Sequence, residues 1–424
     1  MIYYEQGGVS TELSDQNIKN GLNIALEKLG KRKRILAIPP DITRYHSKAG
    51  DIIQMLWESH GDAITDILPA LGTHDPMTEE EIDRMYGAVP KKLFRDHDWR
   101  NDVRTIGHIE SSVIKNLSEG KLEFEWPAQV NRLLVEGNHD LILSVGQVVP
   151  HEVVGMANHH KNILIGTGGA ETINLSHHLG AVYGMERMMG QADTPVRKIL
   201  NLAFYRFLSH LPIVYILTVI GPGASPGRLV TRGMFIGDDN SVFDKAAELS
   251  LKVNFTMLEQ PLEKVVVYLP PDEFKTTWLG NKSIYRTRMA IADNGELVVL
   301  APGLKKFGED QEIDGLIRKY GYRTTPEILS FVEKNADLQN NLSAAAHLIH
   351  GSSENRFKVT YCTGGLTKSE VEGVNYQYGD LSEYASRYKI TDLVDGFNTL
   401  DDGEKIFYIS NPALGLWAYK GRFS

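Results

Sequence analysis

Residues 150–178 read PHEVVGMANHHKNILIGTGGAETINLSHH, and five of the chain's 14 histidines fall there: His151, His159, His160, His177 and His178. Lys161 follows His151 by ten residues and precedes His177 by sixteen. Imidazole is the usual side chain for moving protons near neutral pH and for binding borderline metals. A lysine beside histidines can have a lowered pKa, which suits the amine to covalent chemistry. A glycine-rich turn, Gly166-Thr-Gly-Gly169, separates the lysine from the last two histidines. The same residues would also suit a polar helix end with incidental histidines. The elements that carry them decide between chemistry and packing.

Those elements read as alternating strands and helices. Apolar spacing predicts a helix over 14–30, with Ile18, Leu22, Ile24, Ala25 and Leu29 on one side. The run RILAIP at 34–39 reads as a buried parallel strand. It leads into a loop carrying Asp41, Thr43 and Arg44, followed by a helix over 47–59. The next unit repeats the plan. A strand at 63–70 precedes Leu71-Gly-Thr-His74, and Thr78 with Glu81 marks a capping box at a helix start. Residues 99–135 look antiparallel or irregular, and a buried strand at 140–149 feeds into His151. Three strands thus deliver Asp41 and Arg44, His74, and His151 to one edge of a sheet. In open α/β sheets, ligands bind at the carboxyl ends of the strands. Arg44 offers a two-pronged contact for a carboxylate there.

Further on, the pattern predicts a helix over 195–209, an apolar strand over 211–219, a Gly/Pro-rich turn at 221–227, a strand at 233–239 and a helix over 241–256. A crossing into a second domain is placed near Gln260–Lys264, giving domains 1–260 and 261–424. The second half alternates again. Strands are expected from 265, at 296–301, at 357–361 and last at 405–410, with helices over 311–320 and 325–350. The expected fold class is α/β, with two α/β domains, mainly parallel sheets and an active-site cleft between them.

Bulk properties narrow the function. The chain has 424 residues, 45 basic against 54 acidic side chains and a net charge of −9, which disfavours nucleic acid as the main partner. One cysteine, Cys362, allows no intrachain disulfide and fits a reducing cytoplasm. No signal peptide is visible at the N-terminus, and the longest apolar stretch, 210–221, is too short to span a bilayer. A small molecule is the expected partner.

The spacings resemble those of the nickel-pincer-nucleotide-dependent lactate racemase family across nearly the full length. The residues that carry the likeness are Asp41-Ile-Thr-Arg44, Leu71-Gly-Thr-His74, the series His151, Lys161 and His177, and the 237–250 stretch GDDNSVFDKAAELS. The resemblance implies that Lys161 carries the nucleotide through a thioamide and that His177 is the protein ligand to nickel. It also implies that Asp41 and Thr43 support the cofactor side, that His74 and His151 act as the acid/base pair, and that Arg44 holds the substrate carboxylate. Hydride removal from C2 of a 2-hydroxy acid and its return to the other face would then invert the centre. The protein supplies position and protonation while the cofactor carries the hydride.

Departures from the family pattern bear on the substrate. Before the lysine stands Gly155-Met-Ala-Asn-His-His160, so backbone N–H groups of the 166–169 turn are candidates for phosphate contacts instead. In the second domain, Arg286 and Met289 stand where the family has glutamine and lysine, which makes Arg286 or Arg288 a candidate carboxylate contact. A family tryptophan has no counterpart near 337–342, and a polar run, His350–Arg356, follows. A more polar pocket predicts a sugar acid such as gluconate over lactate or malate. Three rivals remain: an NAD-dependent dehydrogenase, a zinc hydrolase and a non-catalytic sugar-acid sensor. The first lacks a Gly-x-Gly-x-x-Gly turn after a strand, and the second lacks His-Glu-x-x-His spacing.

Overall fold

The computed structural model describes residues 1–225 and 228–422. The chain forms two compact units. The first comprises residues 1–183 and 187–254, and the second residues 184–186 and 255 onward. Apart from the short 184–186 segment, the chain passes from the first unit to the second at Asn254–Phe255.

The first unit is built on a six-stranded sheet. In chain order its strands are β1 (Ile2–Gly7), β2 (Ile35–Ile38), β3 (Ile64–Ile67), β4 (Leu141–Gln147), β5 (Ile213–Pro222) and β6 (Leu229–Gly237). In space they run β1-β6-β5-β4-β2-β3. β3, β2, β4 and β5 are parallel, while β6 and β1 add antiparallel pairs at one edge. β1 had no expectation from the pattern. Its residues are half-buried to exposed, so it lacks the apolar run that marks an inner strand.

Successive side chains of a strand point to opposite faces, and the packing follows that period. Ile35 and Ala37 of β2, with Leu141 and Leu143 of β4, join a core with helices α1 (Asp15–Leu29), α2 (Ala49–His60) and α3 (Glu79–Tyr86). Leu36, Ile38 and Ile142 join the core on the other face. It includes helices α4 (His160–Leu164), α5 (Ala170–Tyr183), α6 (Pro195–Ala203) and α7 (Asn240–Asn254). Strands buried on both faces explain the near-continuous apolar runs. The capping box of Thr78 and Glu81 opens α3 as expected. Residues 99–135 hold an antiparallel pair, Val103–Ile109 with Trp126–Asn131. Of the Gly/Pro-rich stretch 221–227, positions 226 and 227 lie outside the described residues.

The second unit has its own six-stranded sheet. Its strands are β7 (Leu262–Tyr268), β8 (Ile291–Ala301), β9 (Lys358–Thr363), β10 (Gln377–Tyr378), β11 (Gly396–Thr399) and β12 (Lys405–Ile409). The spatial order is β10-β9-β8-β7-β12-β11, parallel except for the β11–β12 pair. Two expectations change here. The helix foreseen over 325–350 is three pieces, Thr325–Lys334, Ala336–Gln339 and Leu342–His350. Asn335 and Asn341 break it, with extended backbone at the first and an N-cap hydrogen bond to Ala344 at the second. The last strand is not 405–410 but Leu416–Tyr419, which pairs parallel with Phe255–Leu258. No helix among the described residues is long and apolar enough to cross a membrane.

Candidate functional site

β2, β3 and β4 lie side by side, with β2 in the middle. After β2 the chain goes to β3 on one side; β4 leads to β5 on the other. Strand order therefore reverses beside β2 and β4, the kind of crevice where open α/β sheets hold ligands. The loops leaving these strands carry the chemistry.

After β2 comes a 3-10 turn, Ile42–Ser47, with Asp41 as its N-cap. Asp41 Oδ1 accepts hydrogen bonds from the Thr43 backbone N–H at 3.2 Å and the Thr43 hydroxyl at 2.5 Å. Asp41 Oδ2 lies 2.5 Å from His74 Nδ1. Burial pushes the Asp41 pKa up, but His74, Thr43 and Arg44 outweigh it and hold the carboxyl below its ordinary value. The ring nitrogen of His74 that faces a carboxylate carries a proton, which leaves Nε2 of the neutral ring as a lone pair. Arg44 sits at a kink in the same turn, and its Nη1 is buried without a hydrogen-bond partner. A buried guanidinium nitrogen left unsatisfied is expensive, so it marks a place for an anionic ligand.

β4 runs into a short hairpin, Pro150–His151 against Gly155–Met156. Within it the Val153 N–H donates to His151 Nδ1 at 3.1 Å. The neutral ring therefore carries its proton on Nε2. Burial holds the His151 pKa well below 6.5, opposed by Glu152 and reinforced by the positive charges of Lys161 and Arg44 and, more weakly, by His177 nearby. His74 and His151 are thus set in complementary states, one presenting an acceptor nitrogen and the other a donor.

Lys161 lies in the first turn of α4. The next residue, Asn162, donates to Ile38 O of β2 and Ser144 Oγ of β4, both at 3.0 Å, which ties the helix to the two central strands. Burial first, then Arg44 and Arg197, draw the Lys161 pKa down to about 8, against Glu152 and Asp41. His177, on α5, donates Nδ1–H to the Ile173 carbonyl at 2.7 Å, which frees the Nε2 lone pair. Burial lowers its pKa to about 4, so the ring is neutral at pH 7. Among the described residues, no group of three or more His, Cys, Asp or Glu side chains is placed to hold a metal ion alone.

The turn 166–169 does not offer a phosphate cradle. Three of its four N–H groups are spent: Gly166 on Lys161 O, Thr167 on Ile163 O and Gly168 on Ile165 O. Its glycines serve close packing. A Cβ on Gly168 would stand 2.0 Å from Leu164 O, and one on Gly166 2.4 Å from Asn162 O. His159 and His160 are also packing residues. His159 packs at a tilt against His160 at 4.0 Å and Tyr215 at 3.9 Å, and His160 stacks on Phe204 at 3.9 Å.

Arg286 and Arg288 lie in the second unit, and their bonding there departs from the substrate contact expected of them. Arg286 Nη1 donates to the carbonyls of Leu414 and Gly415. Arg288 pairs with Glu186 at 3.1 Å and donates to Ser352 O. Arg356, from the polar run, pairs with Glu186 and Asp293 and caps Arg288 O and Ile291 O. These guanidiniums hold loops of their own unit together.

Sequence reasoning passed over three residues. Glu152 is the carboxylate felt by His151, Lys161 and His177, and only its place beside His151 hinted at it. Gln147, at the end of β4, lies 3.2 Å from His46 Nε2. His97 bonds Gly168 O at 3.0 Å and Asn131 at 3.1 Å, which clamps the turn after Lys161. Nothing in the spacing of the last two pointed to the site.

Residues 11–189 match the model of the lactate racemase N-terminal domain. A lactate racemase from Lactiplantibacillus plantarum is 28% identical over 156 residues, 36% of this chain and 34% of that protein. The match thus spans about a third of that curated relative's length. Among solved structures, a Thermotoga maritima protein is similar with a TM-score of 0.82 at 25% identity, over 98% of this chain and 100% of the other. The lactate racemase apoprotein from Thermoanaerobacterium thermosaccharolyticum shares the fold at a TM-score of 0.70 and 17% identity, over 97% of this chain and 94% of the other. The fold class is α/β with mainly parallel sheets, and over residues 11–189 the chain is similar to the lactate racemase N-terminal domain.

Proposed function

We propose that this chain inverts C2 of a 2-hydroxy acid, with a polar sugar acid such as gluconate preferred over lactate or malate. The observation that supports it most is the convergence beside β2 and β4. An anion-seeking Arg44, two oppositely set histidines, a lysine of lowered pKa and a histidine with a free Nε2 belong to one sheet edge. Each answers a need of that reaction.

The residues fit a nickel-pincer nucleotide. Lys161, with a pKa of about 8, keeps roughly a tenth of its amine neutral at pH 7, as joining a carbonyl or thioacid group requires. His177 Nε2 is in the tautomer that binds a metal, and its Ile173 contact fixes the ring. One imidazole with no protein cluster around it suits a metal whose other ligands come from an organic group. When bound, that group supplies a reversible acceptor for the C2 hydrogen and its electron pair.

The chain's own residues do the rest. Arg44 Nη1 takes the substrate carboxylate. His74 Nε2 accepts the hydroxyl proton, and Asp41 stabilises the imidazolium that results. His151 Nε2–H donates to the oxygen of the planar keto acid on the other side and gives its proton to the inverted alkoxide, while solvent returns a proton to His151 and takes one from the His74 imidazolium, so both rings end neutral. From the opposite enantiomer the two rings exchange roles. What supports a sugar acid is composition: the region 337–342, DLQNNL, has no tryptophan.

Two measurements test this reading. Intact mass of protein from its native host should show a nucleotide-sized adduct on the Lys161 peptide, with about one nickel per chain. Turnover of D-gluconate should exceed that of lactate and malate, and Lys161→Ala should abolish it with the fold intact. Faster lactate turnover would overturn the substrate; unchanged activity in Lys161→Ala would overturn the class.

A further inference from the structure

The backbone just before Lys161 is in a conformation that side chains rarely adopt. Asn158 has φ +68°, and His159 has φ +59° with ψ −132°. A bulky residue there is a true outlier and persists only where its surroundings over-determine it. Here the surroundings are one face of α6. Arg197 Nη1 donates to Asn158 O at 3.1 Å, and Nη2 donates to Met156 O at 2.5 Å. One turn along, Asn201 accepts from His160 Nδ1 at 2.8 Å. Residues four apart share a helix face, so α6 reads three alternate positions of the loop at once. The helix start is itself clipped to the hairpin, since the Thr194 hydroxyl caps Arg197 N and donates to Val154 O.

Arg197 is fully buried; Asp244 supports its charge through space, but among the described residues no carboxylate makes a direct ion pair with it. Its charge rests on the two carbonyls and on the face of Phe243, 4.2 Å from the ring centre. A buried cation without a contacting counter-ion is costly, whereas a core that needed only bulk would hold an apolar side chain. The fork shape matters instead: one planar guanidinium spans two carbonyls that a lysine would meet singly.

We propose that Arg197, helped by Asn201, is the positioning residue for Lys161. Its guanidinium locks the left-handed Asn158–His159 pair from which α4 springs, and that lock aims the lysine amine into the site. Its cation is also among those that hold the Lys161 pKa down. The inference concerns where the amine points and not what is joined to it, so its test is separate from that of the racemase reading.

The test uses the full-length, cofactor-free protein. Lys161 acetylation at pH 8 is measured by peptide mass spectrometry relative to the exposed Lys121. Amide exchange is followed across 156–161 and across β2 and β4. In Arg197→Met, exchange over 156–161 should rise at least tenfold with the strands unchanged, and the Lys161/Lys121 ratio should shift at least fivefold. Arg197→Lys keeps the charge and loses the fork; it should show the same local loss, and it decides the matter if Arg197→Met does not fold. Placing His159→Gly in either variant should recover thermal midpoint, because glycine takes that backbone freely, without restoring the ratio. A wild-type ratio and wild-type exchange in a folded variant would overturn the proposal. So would exchange that rises equally everywhere, which would make Arg197 a general core residue.

Discussion

Asp41 uses its two oxygens for two tasks: Oδ1 fixes the Thr43 turn, and Oδ2 holds the His74 ring. Replacing it by asparagine preserves size and the turn but removes the charge that stabilises an imidazolium. Asp41→Asn should therefore lower kcat about 100-fold or more in both directions, with KM little changed because the proposed carboxylate contact, Arg44, is untouched. Steady-state rates from each enantiomer check this; a loss confined to KM would shift Asp41 to substrate binding. Much at this scale was legible. Asp41, Arg44, His74 and His151 follow strands that announce themselves, so their place at the sheet edge followed from the pattern, whereas Lys161 and His177 stand on the helices α4 and α5 and were singled out by spacing and residue type. The tautomers were not legible, because each depends on a partner set by folding: Asp41, Val153 N–H and the Ile173 carbonyl. Arg197 was hidden for the same reason. Its partners are backbone carbonyls, which leave no trace in composition.

At the scale of elements, α4 is only five residues long and too short to stand by itself. It is held by Asn162 on β2 and β4, by α6 behind it, and by the 166–169 turn that closes onto it. Gly168→Ala would drive a Cβ against Leu164 O at 2.0 Å. The backbone must then shift, at a cost of about 1–3 kcal/mol, and Lys161 moves with it. A thermal melt should show the loss, while Gly315→Ala, where a Cβ meets nothing within 4 Å, should not destabilise the protein. Element types were read well where periodicity was strong, as in α1, β2 and β4. They were misread where one apolar period spans a break. Residues 325–350 keep a helical pattern through Asn335 and Asn341, and local side-chain bonding there ended the helix against the pattern. The outer strand β1 carries mixed polarity because it is half-buried to exposed, so no apolar run marked it, and Leu416–Tyr419 is an apolar run of only four residues, too short to stand out.

For the whole molecule, the histidines dominate the response to acid. Burial holds His160 at about 3, His177 and His178 at about 4, and His151 and His159 well below their ordinary value. In the unfolded chain each would titrate near 6.5. Below that pH the unfolded state binds more protons, so stability is full above about 6.5 and is lost as pH falls toward 4. The Asp41 carboxyl adds to the same trend lower down, since its depressed pKa gives stability that fades as it protonates. Cofactor-free protein should melt roughly 10 °C or more lower at pH 5 than at pH 7. A flat profile from pH 7 to 5 would mean that these rings are charged or exposed. The pairing of β1 has a further consequence, in time and not in space. Glu5 meets Phe235 across the sheet, so the strand synthesised first finds its partner last. Until β6 exists, six residues of half-apolar edge have nothing to bond. Such distant closure slows folding and leaves a sticky segment waiting. A chain stopped short of residue 229 should expose β1 to chaperones or to self-association even with its parallel strands complete.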